Sequence, residues 1–458
     1  MSEAIAAVVL AAGDGKRMNS ARQKVTCCVL LKPMLSWVID ACEDAKIERQ
    51  NCCVVVSSDP KEVAELIPEG MATATQAERL GTGHAVLCAA DFLKDAQARG
   101  VKDVTVLCGD APFIDEQLLS KALLCHREEQ NDVTVITAQC DNPAGYGRIV
   151  RIGDKLTKIV ESADATEKEK EIKEINSGVY WFKIDFLLEY LPELNNNNKQ
   201  KEYYITDLAA IASLNKKAGV FVCANQNIAL GANDRISLSK LNSIARDAVL
   251  DKLRNEGVDI PINDGVLIGP DVAIGRDTTV LPGCMITGKV KIGEGCVIGP
   301  NTRIIDCEVG DGCTIESSRL EKSKIGSDVR IGPFAQIRPD CTVADRVKIG
   351  NFVEVKNSSV GEKTSLAHLT YIGDSDLGGL INVGCGVVTV NYDGLGKYRT
   401  VIEDGAFIGC NTNLIAPVKV GAGAYVAAAT TVTEDVPGNS LAIGRVKQTV
   451  KEDWAKKR

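Results

Sequence analysis

Of the three histidines in this 458-residue chain, His84, His126 and His368, the last stands alone in the C-terminal half, in the segment SLAHLTYIGD. A neutral imidazole near pH 7 can take a proton from an amine whose nitrogen attacks a thioester carbonyl. A lone histidine can equally be structural, so residue type by itself leaves both readings open. Near the other end, LAAGDGKRM sets Gly13 and Gly15 after an apolar run and follows them with Lys16 and Arg17. Glycines let backbone N–H groups approach phosphate oxygens, and the cations offset the phosphate charge. The spacing is neither G-x-x-x-x-G-K-[ST] nor G-x-G-x-x-G, so an ordinary strand-to-helix turn is the competing reading. Cys108-Gly109-Asp110 ends a second apolar run, where Asp110 either serves a ligand or caps a turn.

Two kinds of element must position these groups. In the first half, short apolar runs alternate with helical patterns: Ala4–Ala12 and Cys52–Ser57 are predicted strands, Met34–Asp44 and Gly83–Leu93 predicted helices, and Val104–Leu107 a further strand. That alternation predicts a doubly wound, mostly parallel α/β (Rossmann-like) sheet, with ligands at the C-terminal strand ends. The tract Asn195–Lys199 reads as a polar loop. From Ile268 the period changes to six. Ile268, Ile274, Val280, Ile286, Ile292, Ile298 and Ile304 form one run, a second goes from Ile325 to Val355, and a third from Ile408 to Val432. Neither a helix nor an alternating strand keeps that period, whereas a hexapeptide-repeat β-helix does, with one inward aliphatic per repeat. Between the halves, apolar residues from Ile236 to Leu253 keep helical spacing and stop at Gly257. The reading is a first domain over 1–235, a linker helix over 236–256, and a β-helix domain with a basic tail over 257–458.

Bulk properties narrow the class. The formal charge of −8 argues against nucleic-acid binding, and the N-terminus lacks the basic start and cleavage site of a signal peptide. Its apolar stretch is too short to span a bilayer, which makes a cytoplasmic protein without membrane insertion the expectation. The 17 cysteines are odd in number and contain no C-x-x-C pair, so free thiols in apolar sites are expected rather than a disulfide framework or zinc site.

The order LAAG, QAERLGTGHA, CGDAP, GYGRI, INSGV and EYYITD resembles the nucleotide-sugar pyrophosphorylases, and within them the bacterial bifunctional N-acetylglucosamine-1-phosphate uridyltransferase / glucosamine-1-phosphate acetyltransferases. The hexapeptide half extends the resemblance to essentially the whole chain. It implies that Leu10, Ala11, Ala12 and Gly13 line a uridine pocket, with Gln76, Gly81 and Thr82 at the uracil edge. Arg17 and Lys24 would hold the triphosphate of UTP, while Gly147, Glu161 and Asn176 hold the N-acetylglucosamine moiety. Asp110 and Asn233 would coordinate Mg2+, though Asn233 beside Asp234 also suits a helix N-cap.

RPD at Arg338, NFVEVK, AHLTY and VNYDG match the acetyltransferase half of that family. There His368 is the implied general base, with Glu354 to orient or polarise it. Arg338 and Lys356 would clamp the sugar phosphate, and Tyr371 and Asn382 would bind the sugar. Asn391 and Tyr392 sit in a loop that interrupts the sixfold register and, with Cys385, Cys410, Ala428 and Arg445, would contact acetyl-CoA. The resemblance further implies a left-handed coil and a homotrimer with shared acetyltransferase sites. Departures are Lys16 for the family's usual Thr, Gln23 for Pro, the stretch up to Leu31 without its glycine, Cys385 for Ala and Cys410 for Ser. Gln23 is expected to loosen the loop carrying Lys24. Competing readings are a single-activity sugar-1-phosphate nucleotidyltransferase with a scaffold β-helix, and a non-catalytic nucleotide-sugar-binding regulator.

Overall fold

The computed structural model describes residues 4–13, 15, 18–20, 22–215 and 217–457. The chain divides into two compact units, Met1–Ala245 and Arg246–Arg458.

The first unit is built on a mixed sheet. Its main path runs Ala218–Cys223, Val133–Gln139, Glu174–Lys183, Asp103–Cys108, Ile5–Leu10, Cys52–Ser57 and Ala72–Gln76. The central pairs are parallel, as the alternation of strands and helices predicts, but Glu174–Lys183 runs antiparallel to both of its neighbours. Val8, Val54, Val106 and Trp181 are fully or almost fully buried, which is why these runs are apolar throughout and not alternating. Met34–Asp44 and Cys52–Ser57 form as predicted. The first strand is shorter, Ile5–Leu10, and releases Ala11 and Ala12 into the loop at its C-terminal end. The predicted helix over Gly83–Leu93 is two helices, Thr82–Cys88 and Ala90–Ala98, because the backbone leaves helical geometry at Ala89.

The helix Arg235–Asn255 crosses the division of the chain. At its start Asp234 accepts a bond from Ser237 N at 2.7 Å, so Asp234 is the capping residue and the Asn233 side chain is left for other work.

The second unit is a prism of three parallel sheets. Ile268 pairs with Ile286 and Ile286 with Ile304, three hexapeptides per coil, and every one of them is buried. The sixfold period lapses after Ile304 because corners there are shorter, yet Ile304 still stacks on Leu320 and Leu320 on Ile337. A longer break separates Asn382 from its ladder partner Phe407, and the extra residues are the loop around Asn391–Arg399. Stacking therefore survives where the spacing in sequence does not. All seventeen cysteines are free thiols.

Candidate functional sites

The C-terminal ends of the central strands in the first unit carry the first constellation. Gly109 N donates to Leu10 O at 2.9 Å, and Arg79 Nε donates to Ala12 O at 2.9 Å. The segment Leu10–Gly13 is thereby held between the strand end before Asp110 and the QAERLGTGHA segment. Arg79 has no role in the sequence reading, since a side chain bonded to a carbonyl across the fold leaves no local signal. A Cβ on Gly13 would meet open space, whereas one on Gly15 would collide with Lys24 Cβ at 2.6 Å. Arg17 and Lys16 lie outside the described residues.

Gln76, Gly81 and Thr82 come together. Gln76 is buried, and its Nε2 donates to Gly81 O at 3.1 Å. Gly81 has φ of +105°, and an added Cβ would meet Tyr203 O at 2.6 Å, so only glycine fits there. Tyr203 N donates to Leu80 O at 2.7 Å and Ile205 N to Thr82 Oγ1 at 3.2 Å. Two motifs more than a hundred residues apart in sequence thus interlock at one wall.

Lys24 forms an ion pair with Asp110 and donates to Asn233 Oδ1 at 2.9 Å. A carboxylate and an amide oxygen therefore converge on one positive charge, a donor set of the hard oxygens that Mg2+ prefers. The loop bearing Lys24 is not loosened by Gln23: its amide Nε2 donates to Ser57 Oγ at 3.0 Å and Asp59 O at 2.7 Å, replacing the stiffness of proline with two bonds to the neighbouring strand end.

Gly147, Glu161 and Asn176 form a third group. Asn176 N donates to Gly147 O at 2.9 Å, and a Cβ at Gly147 would lie 3.5 Å from Glu161 Oε2. Asn176 Nδ2 donates to Tyr180 Oη at 2.6 Å, and Thr206 Oγ1 donates to Glu161 Oε1 at 3.1 Å. Burial pushes the Glu161 carboxyl above the ordinary glutamate value, against the opposing bond from Thr206. A carboxyl raised on folding favours the folded chain below its unfolded value and works against it once pH rises through the folded one. Glu161→Gln is therefore expected to raise the melting temperature near pH 7 and to lose that advantage near about pH 4, where both forms are neutral. Calorimetry at the two pH values checks this; an equal gain at both would assign the effect to packing.

In the second unit the candidate residues occupy two columns. On one sheet Glu354 pairs with Gln336 below and Tyr371 above, and Arg338 and Lys356 follow in the same register. Arg338 Nη1 donates to Glu354 Oε1 at 2.9 Å, and Lys356 Nζ lies 3.6 Å from Asp374 Oδ2. Lys397, which the sequence reading passed over, reaches this group from the inserted loop. Its ammonium is held below the ordinary lysine value by hydrogen-bonding contact with the Lys356 ammonium and then by that group's charge.

His368 Nδ1 meets Asn351 Oδ1 at 2.6 Å. An amide oxygen can only accept, so Nδ1 carries a proton, and in the neutral ring the lone pair is on Nε2. Glu354, expected to orient the imidazole, is engaged by Arg338; the orienting contact within the chain is Asn351, one coil below. Strand pairing of Val383 with Ile408 sets Cys385 and Cys410 on consecutive coils beyond His368, and Arg445 Nη1 donates to Ala428 O at 2.6 Å one coil further on. Asn382 lies on another sheet from Tyr371, between Ser365 and Phe407. Asn391 is buried against Asp374, while Tyr392 is exposed and donates to Gly394 O at 2.8 Å.

A mixed sheet with phosphate-suited strand ends, joined to a hexapeptide prism with a poised imidazole, defines a nucleotidyltransferase fused to a hexapeptide transferase. The pattern of the family described as Nucleotidyl transferase matches residues 6–228, and that of Bacterial transferase hexapeptide matches 271–306 and 322–357. The bifunctional protein GlmU of Acetivibrio thermocellus is 46% identical over 458 residues, covering 100% of this chain and 98% of its own length. That of Fervidobacterium nodosum is 45% identical, covering 98% and 97%. The chain belongs to the GlmU family of bifunctional uridyltransferase/acetyltransferase enzymes.

Proposed function

We propose that the second unit acetylates glucosamine-1-phosphate from acetyl-CoA and that the first then couples N-acetylglucosamine-1-phosphate to UTP, yielding UDP-N-acetylglucosamine and pyrophosphate. The observation that carries the first step is His368 with its proton fixed on Nδ1 by Asn351. Nε2 removes a proton as the amine attacks the thioester carbonyl, the C–S bond breaks, and CoA leaves as the thiol. Arg338 and Lys356 hold the sugar phosphate, with Tyr371 beside them. Acetyl-CoA lies along the column from Cys385 and Cys410 to Ala428 and Arg445, with Asn391 and Tyr392 at the inserted loop.

In the uridylyl step an oxygen of the sugar phosphate attacks the α-phosphorus of UTP, and the bond to pyrophosphate breaks. Leu10–Gly13, Gln76, Gly81 and Thr82 hold the uridine, Arg17 and Lys24 the phosphates, and Gly147, Glu161 and Asn176 the sugar. Asp110 and Asn233 would hold Mg2+, which supplies neutralisation of the phosphate charge. Lys24, paired with those two oxygens here, would be free to hold the triphosphate once they held the ion. Incubating the protein with acetyl-CoA and glucosamine-1-phosphate, without UTP, tests the assignment: thiol release that depends on the amino sugar is expected. No release, with pyrophosphate still formed from UTP and N-acetylglucosamine-1-phosphate, would leave the prism a scaffold.

The working form is a homotrimer. Phe334, Phe352 and Leu369 form an exposed column beside Asn351 and His368, with the two rings stacked at 5.5 Å. Three large apolar side chains exposed together are unfavourable unless another surface covers them. Phe352→Asp is expected to lower the sedimentation mass from three chains to one and to remove acetyl transfer while sparing uridylyl transfer. A monomer with undiminished acetyl transfer would overturn shared sites. No helix among the described residues is long and apolar enough to cross a membrane.

The thiol at Cys410, exposed on the acetyl-CoA column, gives a further expected result. Maleimide treatment should block acetyl transfer, acetyl-CoA should protect, and Cys410→Ser should be resistant. Equal loss of activity in Cys410→Ser would move the effect to another thiol.

A further inference from the structure

The inserted loop must be fastened if Lys397 is to act beside Lys356, and the fastening converges on one residue. Asp374 is almost completely buried at a corner of the prism, with φ of +49°. Its Oδ1 accepts from Asn357 Nδ2 on the coil below and its Oδ2 from Asn391 Nδ2, where the loop begins. Thr400 N, where the loop returns, donates to Asp374 O at 3.1 Å. The returning end is secured independently: Arg399 grips Asp376 through Nε at 2.8 Å and Nη2 at 2.6 Å, and Nη2 reaches Ser375 O at 3.2 Å. The same Asp374 carboxylate lies 3.6 Å from Lys356 Nζ.

Two ammonium groups side by side repel, and a loop carrying one of them would swing away unless a fixed negative charge lay between its anchor and its neighbour. We infer that Asp374 is the positioning residue of the phosphate clamp, its carboxylate holding Lys356 and Lys397 together as a pair of cations that a phosphate dianion can bridge. This rests on the reading that Arg338 and Lys356 bind the sugar phosphate. Asp374 touches no substrate in this arrangement; it acts through the lysines. The charged and titratable groups facing the pair are Arg338, Tyr371 and Asp374, with Lys356 and Lys397 facing each other. Burial raises the Asp374 carboxyl, but the bonds from Asn357 and Asn391 and the two lysine charges outweigh it and hold it below the ordinary aspartate value. It is thus an anion throughout the working pH range.

Asp374→Asn keeps the shape, since its amide oxygen can still accept from Asn391 while the Asn357 amide turns to offer its own oxygen, and removes only the charge. Steady-state acetyl transfer by the full chain is expected to show a KM for glucosamine-1-phosphate raised by about tenfold, the scale of losing a charge-assisted contact. The kcat and the KM for acetyl-CoA should stay within about twofold. The sugar-phosphate KM should also climb with pH from a lower pH than in the parent, because Lys397 loses its proton sooner. In a Lys397→Gln background Asp374→Asn should raise that KM clearly less than it does alone, since one of the two cations it holds is already gone. An unchanged KM, a fall in kcat alone, or a full additive effect in that background would overturn the inference. If Asp374→Asn loses the coil by thermal melting, Lys397→Gln alone must raise the same KM and abolish its climb with pH, and failure to do so is equally decisive. Lys356→Gln separates the levels. An unchanged sugar-phosphate KM there would mean that the phosphate binds elsewhere and the site reading fails, whereas a raised one with an inert Asp374→Asn fails this inference alone.

Discussion

His368→Ala is expected to lower acetyl transfer by roughly 10²–10⁴-fold, the range in which a positioned general base contributes, and to leave uridylyl transfer at its parent rate. The geometry gives the result a second signature. Asn351 Oδ1 at 2.6 Å selects the tautomer with the proton on Nδ1, and a histidine in the other tautomer would aim an N–H at the amine. Asn351→Asp should therefore change the pH dependence of kcat, because a carboxylate would favour the imidazolium and move the working pH of the base upward. Asn351→Leu should lower kcat and leave the KM for acetyl-CoA little altered. Thiol release followed across pH for the three variants checks this. An Asn351→Leu enzyme with the parent kcat would mean that the imidazole is oriented from elsewhere, and residual acetyl transfer within about tenfold of the parent in His368→Ala would remove the base role altogether.

What the sequence makes legible follows from where information is stored. Stacking in the prism depends on one inward aliphatic per hexapeptide, so Ile268 to Ile304 can be read as coils before any coordinate is known. The lapse after Ile304 is opaque because corner length, unlike inward packing, is free to vary. Elements of the first unit with buried faces, Met34–Asp44 and Cys52–Ser57, are read to the residue. The antiparallel strand Glu174–Lys183 is not, since strand direction depends on connections and not on the residues within the strand. At the candidate sites, motif residues such as Gln76, Gly81 and Thr82 can be grouped from the sequence, and the fold brings them together, as it does Gly147, Glu161 and Asn176. Arg79, Asn351, Asp374 and Lys397 are not, because each meets its partner (Ala12, His368, Asn391 and Lys356 respectively) across a loop or coil, and such contacts have no local period or spacing.

Asp110→Ala is expected to lower uridylyl transfer by roughly a thousandfold, the scale of losing the group proposed to hold the cation that neutralises developing phosphate charge, with acetyl transfer unaffected. Two readings of Asp110 separate in a more conservative change. If the carboxylate only pairs with Lys24 to shape the turn, Asp110→Asn keeps a hydrogen bond to the lysine and most of the rate. If its charge works in the reaction, Asp110→Asn falls nearly as far as Asp110→Ala. The site favours the second outcome, because Asp110 and Asn233 both face the Lys24 ammonium and an amide at both positions would leave that cation without an anionic partner. Loss of charge should also weaken Mg2+ affinity: the concentration giving half-maximal uridylyl transfer is expected to rise in Asp110→Asn, since an amide is a poorer ligand for a hard divalent cation than the carboxylate proposed to hold it. Pyrophosphate release titrated against Mg2+ reads both effects. An Asp110→Asn enzyme with the parent rate and the parent Mg2+ requirement would place the metal elsewhere and return Asp110 to a capping role. Coupled loss of acetyl transfer in either variant would show that the two activities are not independent.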